Sequence, residues 1–584
     1  MSDKPGAACS LPGQGGAVCL EGVRKRVLET ARSRLAVTAI AFILMFAVTV
    51  GRLMEISIAG ADAGPRVTRH AGARMPGRAD ITDRNGAILA TSLPAASLYV
   101  DPKLITHPEA AAAALTRVLP DLDRDELMAR LTASSRFEWI RRHLTPAEQR
   151  DVNALGLPGL KFKDEYRRIY PHGQAAAHVL GYTDVDGRGI AGVELTFDRE
   201  LREGEPLRLS LDIRLQHILA EELEAARAQF KALGAAGLVL DAGSGEVVAL
   251  VSLPDFDPNM PTASPEASRF NRTTKGVFEM GSTFKLFTVA TALETGVTTI
   301  RGAYDATKPL RVAHYTISDY HPERRWLSVP EILVHSSNIG AAQMAIDIGT
   351  PRQRQYLSRL GLLRPAAIEL PEIGAPLTPN PWREINTMTI AFGHGIAVSP
   401  IQVAVATGAV VDGGILRQPT LIARDGPVAG ERVFSERTSR LMRAMMRLVV
   451  REGTGEKADV PGYSVGGKTG TSEKLVDGRY VHDKSVSSFV AAFPMDHPRY
   501  VVLAMLDEPK GNKSTYNYAT GGWVAAPVVA KVVRRMAPLY GLAPRQDIDD
   551  RLDEPQPLPR RAGVLAAHGP GAGGKVQVRQ LAAN

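Results

Sequence analysis

Between Leu35 and Gly51 the chain reads LAVTAIAFILMFAVTVG, without a charge. Arg24, Lys25, Arg26, Arg32 and Arg34 stand just before it. A membrane-spanning helix needs ~20 apolar residues, with ~17 the lower limit. Arg52 can snorkel outward, and LMEISIAG prolongs the helix to the interface. The segment predicts a transmembrane helix over 35–53. The basic flank then places a cytoplasmic tail, 1–34, inside and the body of the chain outside. A cleaved signal peptide is the alternative, because Ala59-Gly60-Ala61 and Ala61-Asp62-Ala63 fit a small-x-small cleavage rule. The long basic region before the run and the wide gap to those alanines favour an uncleaved anchor. Either way the body is exported.

That body is large. A chain of 584 residues exceeds one ordinary domain, so two or three are expected. The two cysteines, Cys9 and Cys19, both precede the apolar run. A disulfide framework and a cysteine-based metal site are therefore excluded from the body, and both read as free thiols in a reducing compartment. The net charge of +8 is spread over the whole length. No dense Lys/Arg stripe interleaved with aromatics argues for nucleic acid, and no metal or organic cofactor is implied. A basic surface suits anionic lipid or polymer.

Residues 54–75 read as a linker. Alternating apolar positions flank Asn85-Gly86, which predicts a hairpin with a tight turn. Residues 104–155 carry helical spacing, and Thr145-Pro-Ala-Glu has the form of a capping box. EYRRIYP and GIAGVELTFDREL read as strand and turn. A new unit starts with a strand over 207–211 running into an amphipathic helix. AAGLVLDAGSGEVVALVSLP predicts a hairpin. Helical patterns dominate 280–450, strands return at 463–470, 486–493 and 500–506, and a last helix spans 524–536. Strands at both ends with helices between predict an α/β layered domain whose sheet joins early and late segments. The segment 546–584, rich in Pro, Arg, Gly and Ala, predicts disorder.

Three short patterns follow one another: Ser282-Thr283-Phe284-Lys285, Ser336-Ser337-Asn338 and Lys468-Thr469-Gly470. Each alone is weak; the ordered set is strong. A serine hydroxyl needs a base to attack at neutral pH. Residues three apart share a helix face, so Lys285 can reach Ser282. The Ser282 N–H, at a helix start, is open to a developing oxyanion. Lys285 is a base only when neutral, and desolvation with a second ammonium, Lys468, pushes it that way. Ser336 can relay a proton to the leaving amine, and the Asn338 amide can hold a substrate peptide group. Thr469 and Thr471 with Lys468 make a carboxylate pocket. Gly470 leaves room for an extended substrate beside the strand. The Thr471 N–H is the second candidate oxyanion donor. His394, Glu279, His482 and Asp483 read as structural, pocket-lining or solvated.

With these motifs the chain resembles the class B penicillin-binding proteins, the peptidoglycan D,D-transpeptidases. The resemblance spans most of 76–540. GRADITDRNGAILA (Arg78, Asp83, Arg84, Asn85, Gly86) looks like the family's N-terminal signature, and GVELTFDREL (Gly192, Glu194, Asp198) like its second. AFGHGIAVSPIQ at 391–402, LDEPK at 506–510 and the late Gly521-Gly522-Trp523 segment resemble stretches around its active site. Met280 stands where the family often has proline.

The resemblance implies an α+β and α/β multidomain chain. A pedestal (class B dimerisation-type) domain at 76–206 would carry a serine β-lactamase-like transpeptidase domain at 207–545, built on a central antiparallel sheet with helices. It implies peptidoglycan stem peptides as substrate, on a lipid-linked precursor or nascent glycan, and β-lactams as inhibitors. It also implies a membrane glycosyltransferase and other divisome proteins as partners. One anchor, this length and this motif order look most like the division-specific, FtsI-type branch, single-pass in the inner membrane with a periplasmic catalytic domain. An elongation-specific transpeptidase, a β-lactamase or D,D-carboxypeptidase, and a non-catalytic scaffold that binds cell-wall peptides are the alternatives. No general base for a deacylating water can be assigned, which counts against the β-lactamase.

Overall fold

The computed structural model describes residues 34, 36–37, 39–50, 77–312, 315–426, 428–476 and 479–545. The expected linker (54–75), C-terminal tail (546–584) and nearly all of the cytoplasmic tail lie outside these residues. Residues 39–50 are helical, and side chains such as Phe42, Ile43, Leu44 and Phe46 are exposed. Among the described residues, no helix is long and apolar enough to cross a membrane.

In the body, one five-stranded antiparallel sheet runs in the order Gly466–Val476, Arg479–Phe493, Tyr500–Asp507, Gly234–Asp241, Val247–Leu253. The three late expected strands and the early hairpin thus meet across more than 200 residues of chain. Tyr500–Asp507 lies in the middle and is buried at every position. Its side chains alternate between faces, as a period of two demands. Val501, Leu503 and Met505 join one core, which also holds Leu286, Val289, Val403 and Met445. Val502, Ala504 and Leu506 join the other, against Leu219 and Leu223 of helix Ile213–Gln229 and Val529 and Val532 of helix Ala526–Leu539. A sheet covered on both faces needs near-continuous apolar strands, which explains YVVLAML.

The second five-stranded sheet centres on Ile88–Val100, which pairs with Glu138–Leu144 on one side and Leu160–Ile169 on the other. Asn85-Gly86 makes the expected turn between Ile81–Thr82 and Ile88–Val100. Gly86 adopts φ 88°, and Asp83 Oδ1 accepts from the N–H groups of Asn85 and Ala87 at 2.8 and 2.9 Å. Ile81–Thr82 also pairs in parallel with Leu207–Arg208, so the chain returns to this sheet before entering the next unit.

Two expectations fail here. The helical stretch 104–155 is interrupted by the strand Glu138–Leu144, between helices Arg124–Leu131 and Pro146–Ala154. Its pairing with a distant strand overrides the local pattern. The Thr145–Glu148 capping box does form. GIAGVELTFDREL is not strand and turn but two short helices, Gly192–Thr196 and Asp198–Arg202. Buried Glu194 on the first meets Arg78 and Arg168, with Arg168 Nε at 2.7 Å. Asp198 accepts from Arg78 Nη1 at 2.6 Å. These long-range ion pairs, not local propensity, set that conformation.

Candidate active site

Ser282 sits in the short helical turn Gly281–Phe284, which leads into helix Lys285–Glu294. Gly281 turns at φ 55°, and a Cβ there would lie 2.5 Å from the Thr471 carbonyl oxygen. The turn before the nucleophile therefore requires glycine. Met280 is buried in the core and contributes only a carbonyl, which accepts from Thr283 Oγ1 at 3.0 Å.

The three motifs converge. Lys285 Nζ lies 2.9 Å from Ser282 Oγ, 2.6 Å from the Ser336 carbonyl, 3.2 Å from Ser336 Oγ and 2.7 Å from Asn338 Oδ1. Lys468 Nζ reaches Ser336 Oγ at 2.9 Å and Thr469 Oγ1 at 3.1 Å. Ser336 Oγ thus bridges the two lysines. Both lysines are fully buried. Burial, and then the Lys468 charge, hold Lys285 well below the ordinary lysine range, with Asp319 opposing. Burial alone brings Lys468 down to about 7. Ser336 adopts φ 58°, a left-handed conformation that costs a non-glycine residue ~1 kcal/mol or more.

The hydrogen bonds accommodate the neutral Lys285 amine that its burial favours. The Ser336 carbonyl and Asn338 Oδ1 can only accept. A neutral Lys285 amine has two N–H groups for those two acceptors, which leaves its lone pair for the Ser282 hydroxyl. Asn338 Nδ2 donates to the Ser318 carbonyl at 3.0 Å, which sets the amide orientation. Asn338 therefore orients the lysine through its oxygen. The expected contact with substrate falls to the remaining N–H of its amide.

Gly466–Val476 is an edge strand of the central sheet, with Thr469 and Thr471 on it. Thr469 Oγ1 lies 2.9 Å from Thr454 Oγ1, and Thr471 Oγ1 accepts from the Gly521 N–H at 3.0 Å. Gly470 also has a packing reason. A Cβ there would meet the Met280 carbonyl at 2.4 Å and Ser488 Oγ at 2.5 Å, so it lets the strand approach the nucleophile's turn.

A cavity of about 420 Å³ lies along the same strand past Thr471, lined by Glu279, Leu377, Gly395, Ser472, Lys474 and Tyr480, among others, but not by Ser282, Lys285, Ser336 or Lys468. Glu279, expected to be structural, accepts from the Gly395 N–H at 2.9 Å and from Tyr480 Oη at 3.0 Å, and lies 3.7 Å from His394 Nδ1. Burial raises the Glu279 carboxyl, while burial and then Lys285 lower His394. His482 and Asp483 lie within the strand Arg479–Phe493 rather than in a loop, and Asp483 is exposed. Asp319 was missed. Its oxygens bind the Ser337-Asn338-Ile339 turn. The only signal is an aspartate after an apolar strand, which any loop can supply. Among the described residues, no cluster of His, Cys, Asp and Glu could hold a metal ion.

Comparison with known proteins agrees with this geometry. Residues 235–534 match the penicillin-binding protein transpeptidase domain, and 73–205 match the penicillin-binding protein dimerisation domain. The chain is 42% identical over 503 residues to a probable peptidoglycan D,D-transpeptidase FtsI of Caulobacter vibrioides, covering 83% of this chain and 85% of that protein. It is 33% identical over 494 residues to peptidoglycan D,D-transpeptidase FtsI of Escherichia coli K12, covering 78% and 82%. The solved transpeptidase domain of Burkholderia pseudomallei penicillin-binding protein 3 is 33% identical. It covers 58% of this chain and 98% of its own, with a TM-score of 0.52. Penicillin-binding protein 3 of Mycobacterium tuberculosis, solved with ampicillin, is 23% identical. It covers 81% and 97%, with a TM-score of 0.65, and shares the fold. The chain belongs to the class B penicillin-binding proteins, the family of peptidoglycan D,D-transpeptidases.

Proposed function

We propose that the protein cross-links peptidoglycan stem peptides through a Ser282 acyl-enzyme. The observation that carries this reading is the Ser282–Lys285–Ser336–Lys468 chain of contacts, each at 3.2 Å or less. Neutral Lys285 takes the Ser282 proton as Oγ attacks the carbonyl of the penultimate D-alanine. The Ser282 and Thr471 N–H groups receive the oxyanion. The proton passes by way of Ser336 to the amine of the leaving terminal D-alanine. Lys468, Thr469 and Thr471 hold the terminal carboxylate, and the donor peptide lies along the exposed edge of Gly466–Val476 as an added strand. The cavity beside Glu279 then receives the stem residues before the scissile bond. An amine of a second stem resolves the acyl-enzyme by the reverse proton path.

We read the domains as pedestal 76–206 and transpeptidase 207–545, a division that the family matches at 73–205 and 235–534 support. An N-terminal anchor at 35–53, single-pass in the inner membrane with the catalytic domain periplasmic, is supported by the uncharged run, its basic flank and the exposed apolar side chains of 39–50. The FtsI names of the relatives favour a division role, with a membrane glycosyltransferase and other divisome proteins as partners.

Labelling with a fluorescent penicillin tests the chemistry. The wild type is expected to carry a long-lived covalent label, and Ser282→Ala none. An unlabelled wild type, or an equally labelled variant, would refute the assignment. Rapid turnover of the label would instead favour the β-lactamase. Depletion in the native cell tests the role: filaments support division, and rounded cells support elongation.

A further inference from the structure

Asp319 follows the short strand Tyr315–Ile317 and does not touch Ser282. Its Oδ1 accepts from the backbone N–H groups of Asn338 and Ile339 at 2.5 and 3.0 Å. Its Oδ2 accepts from Ser337 Oγ at 2.8 Å. The neighbouring Ser318 carbonyl accepts from Asn338 Nδ2 at 3.0 Å. Two consecutive residues therefore grip three others in a row, Ser337, Asn338 and Ile339, just after Ser336. The grip is itself anchored, because Ile317 is buried in a small cluster with Ala342, Met388 and Phe392. Ser337 extends it, with Oγ accepting from the Gly340 N–H at 3.0 Å.

Gripped Asn338 and the adjoining Ser336 supply three of the four polar atoms around Lys285 Nζ: Asn338 Oδ1, the Ser336 carbonyl and Ser336 Oγ. The turn also contains the left-handed Ser336, a conformation that persists only where its surroundings over-determine it. A displaced turn would release the acceptors that aim the amine's lone pair at Ser282. Small misplacements of such groups carry large rate penalties.

We infer that Asp319 is a positioning residue for acyl transfer: it holds the Ser336–Asn338 turn, and through it the Lys285 amine, in register with Ser282. The inference rests on Ser282 and Lys285 being nucleophile and base. Asp319 also acts at a distance. The charged and titratable groups that face Lys285 are Lys468, Asp319 and, across the site, His394. Among them the Asp319 carboxylate favours the Lys285 ammonium, and Lys468 opposes it. Removing the carboxylate therefore lets Lys285 lose its proton at lower pH.

The test measures the penicillin acylation rate from pH 5 to 10, with thermal unfolding, on the full chain in detergent. Asp319→Asn is expected to slow the plateau about 10–100-fold, the usual cost of losing a supporting contact in a site. Its acidic limb should move to lower pH, which loss of a helix cap without electrostatic reach to Lys285 would not cause. Ser337→Ala removes one of the contacts but no charge. It should slow the plateau less and leave the limb in place. Asp319→Asn with a wild-type rate, or with a slowed rate and an unmoved acidic limb, overturns the inference. If Asp319→Asn does not fold, Ser337→Ala decides: a slower plateau at unchanged unfolding temperature supports the inference, and a wild-type rate overturns it. A wild type that never labels overturns the nucleophile assignment as well, and so is distinct from failure of Asp319 alone.

Discussion

Lys285→Ala is expected to slow penicillin acylation by ~10²–10⁴-fold while leaving the fold in place, the range for loss of a positioned general base. Among the described residues, the amine is the only nitrogen within hydrogen-bonding distance of Ser282 Oγ, at 2.9 Å. Truncation removes a buried cation-forming group from the core, so stability should not suffer from an unpaired charge. Lys285→Arg separates the roles. A guanidinium keeps the charge but cannot give up its proton at accessible pH, so it should fail as the alanine does. Rescue by arginine would mean that charge, not basicity, is what the site needs.

The same chemistry gives the pH profile its sign. Lys285 is active when unprotonated, and its proton affinity is lowered by burial and by Lys468. Acylation should therefore climb with pH and level off well below the ordinary lysine range. Lys468 works in the opposite sense, since its ammonium holds the substrate carboxylate and its value in the free site is about 7. Above that pH the ammonium is lost, and KM for a peptide ending in a carboxylate should rise. A bound carboxylate favours the charged form again, so kcat should change less than KM. A KM that stays flat to pH 9 would remove Lys468 from carboxylate binding.

The largest effect on stability is expected far from Ser282. Glu194 is fully buried and pairs with the guanidinium groups of Arg78 and Arg168, which are themselves 8% and 9% exposed. The Tyr170 hydroxyl adds a hydrogen bond to its Oε1 at 3.3 Å. Glu194→Ala leaves buried Arg168 without its anion and Arg78 with Asp198 alone, and should cost about 3–5 kcal/mol. Glu194→Gln keeps the shape but not the charge and should fall between. Thermal unfolding of the pedestal checks this: the alanine variant should melt roughly 10 °C lower. Penicillin labelling at low temperature should survive, because no atom of Glu194 reaches the site. An unchanged melting temperature would show that the cluster relaxes onto Asp198 or water.

Much of the catalytic apparatus was legible because its signals are short-range. Ser282 and Lys285 meet because residues three apart share a helical turn. The hairpin at Asn85-Gly86, the Thr145 cap and the apolar central strands likewise follow from turn chemistry and period-two burial. Resemblance then joined motifs that local rules could only set side by side. What the tertiary structure decided is long-range. Lys468 and Ser336 share a hydrogen bond across 132 residues, and Lys285 and Ser336 across 51. Glu138–Leu144 became a strand because Ile88–Val100 offered it an edge, and Gly192–Arg202 became helical around distant arginines. Gly470 is small for the Met280 carbonyl and Ser488, and Asn338 turns its oxygen to the lysine. Asp319 left no mark in the pattern of the chain. Local periodicity records which face of an element is buried. It carries nothing about which distant backbone N–H a carboxylate will meet once that face has packed.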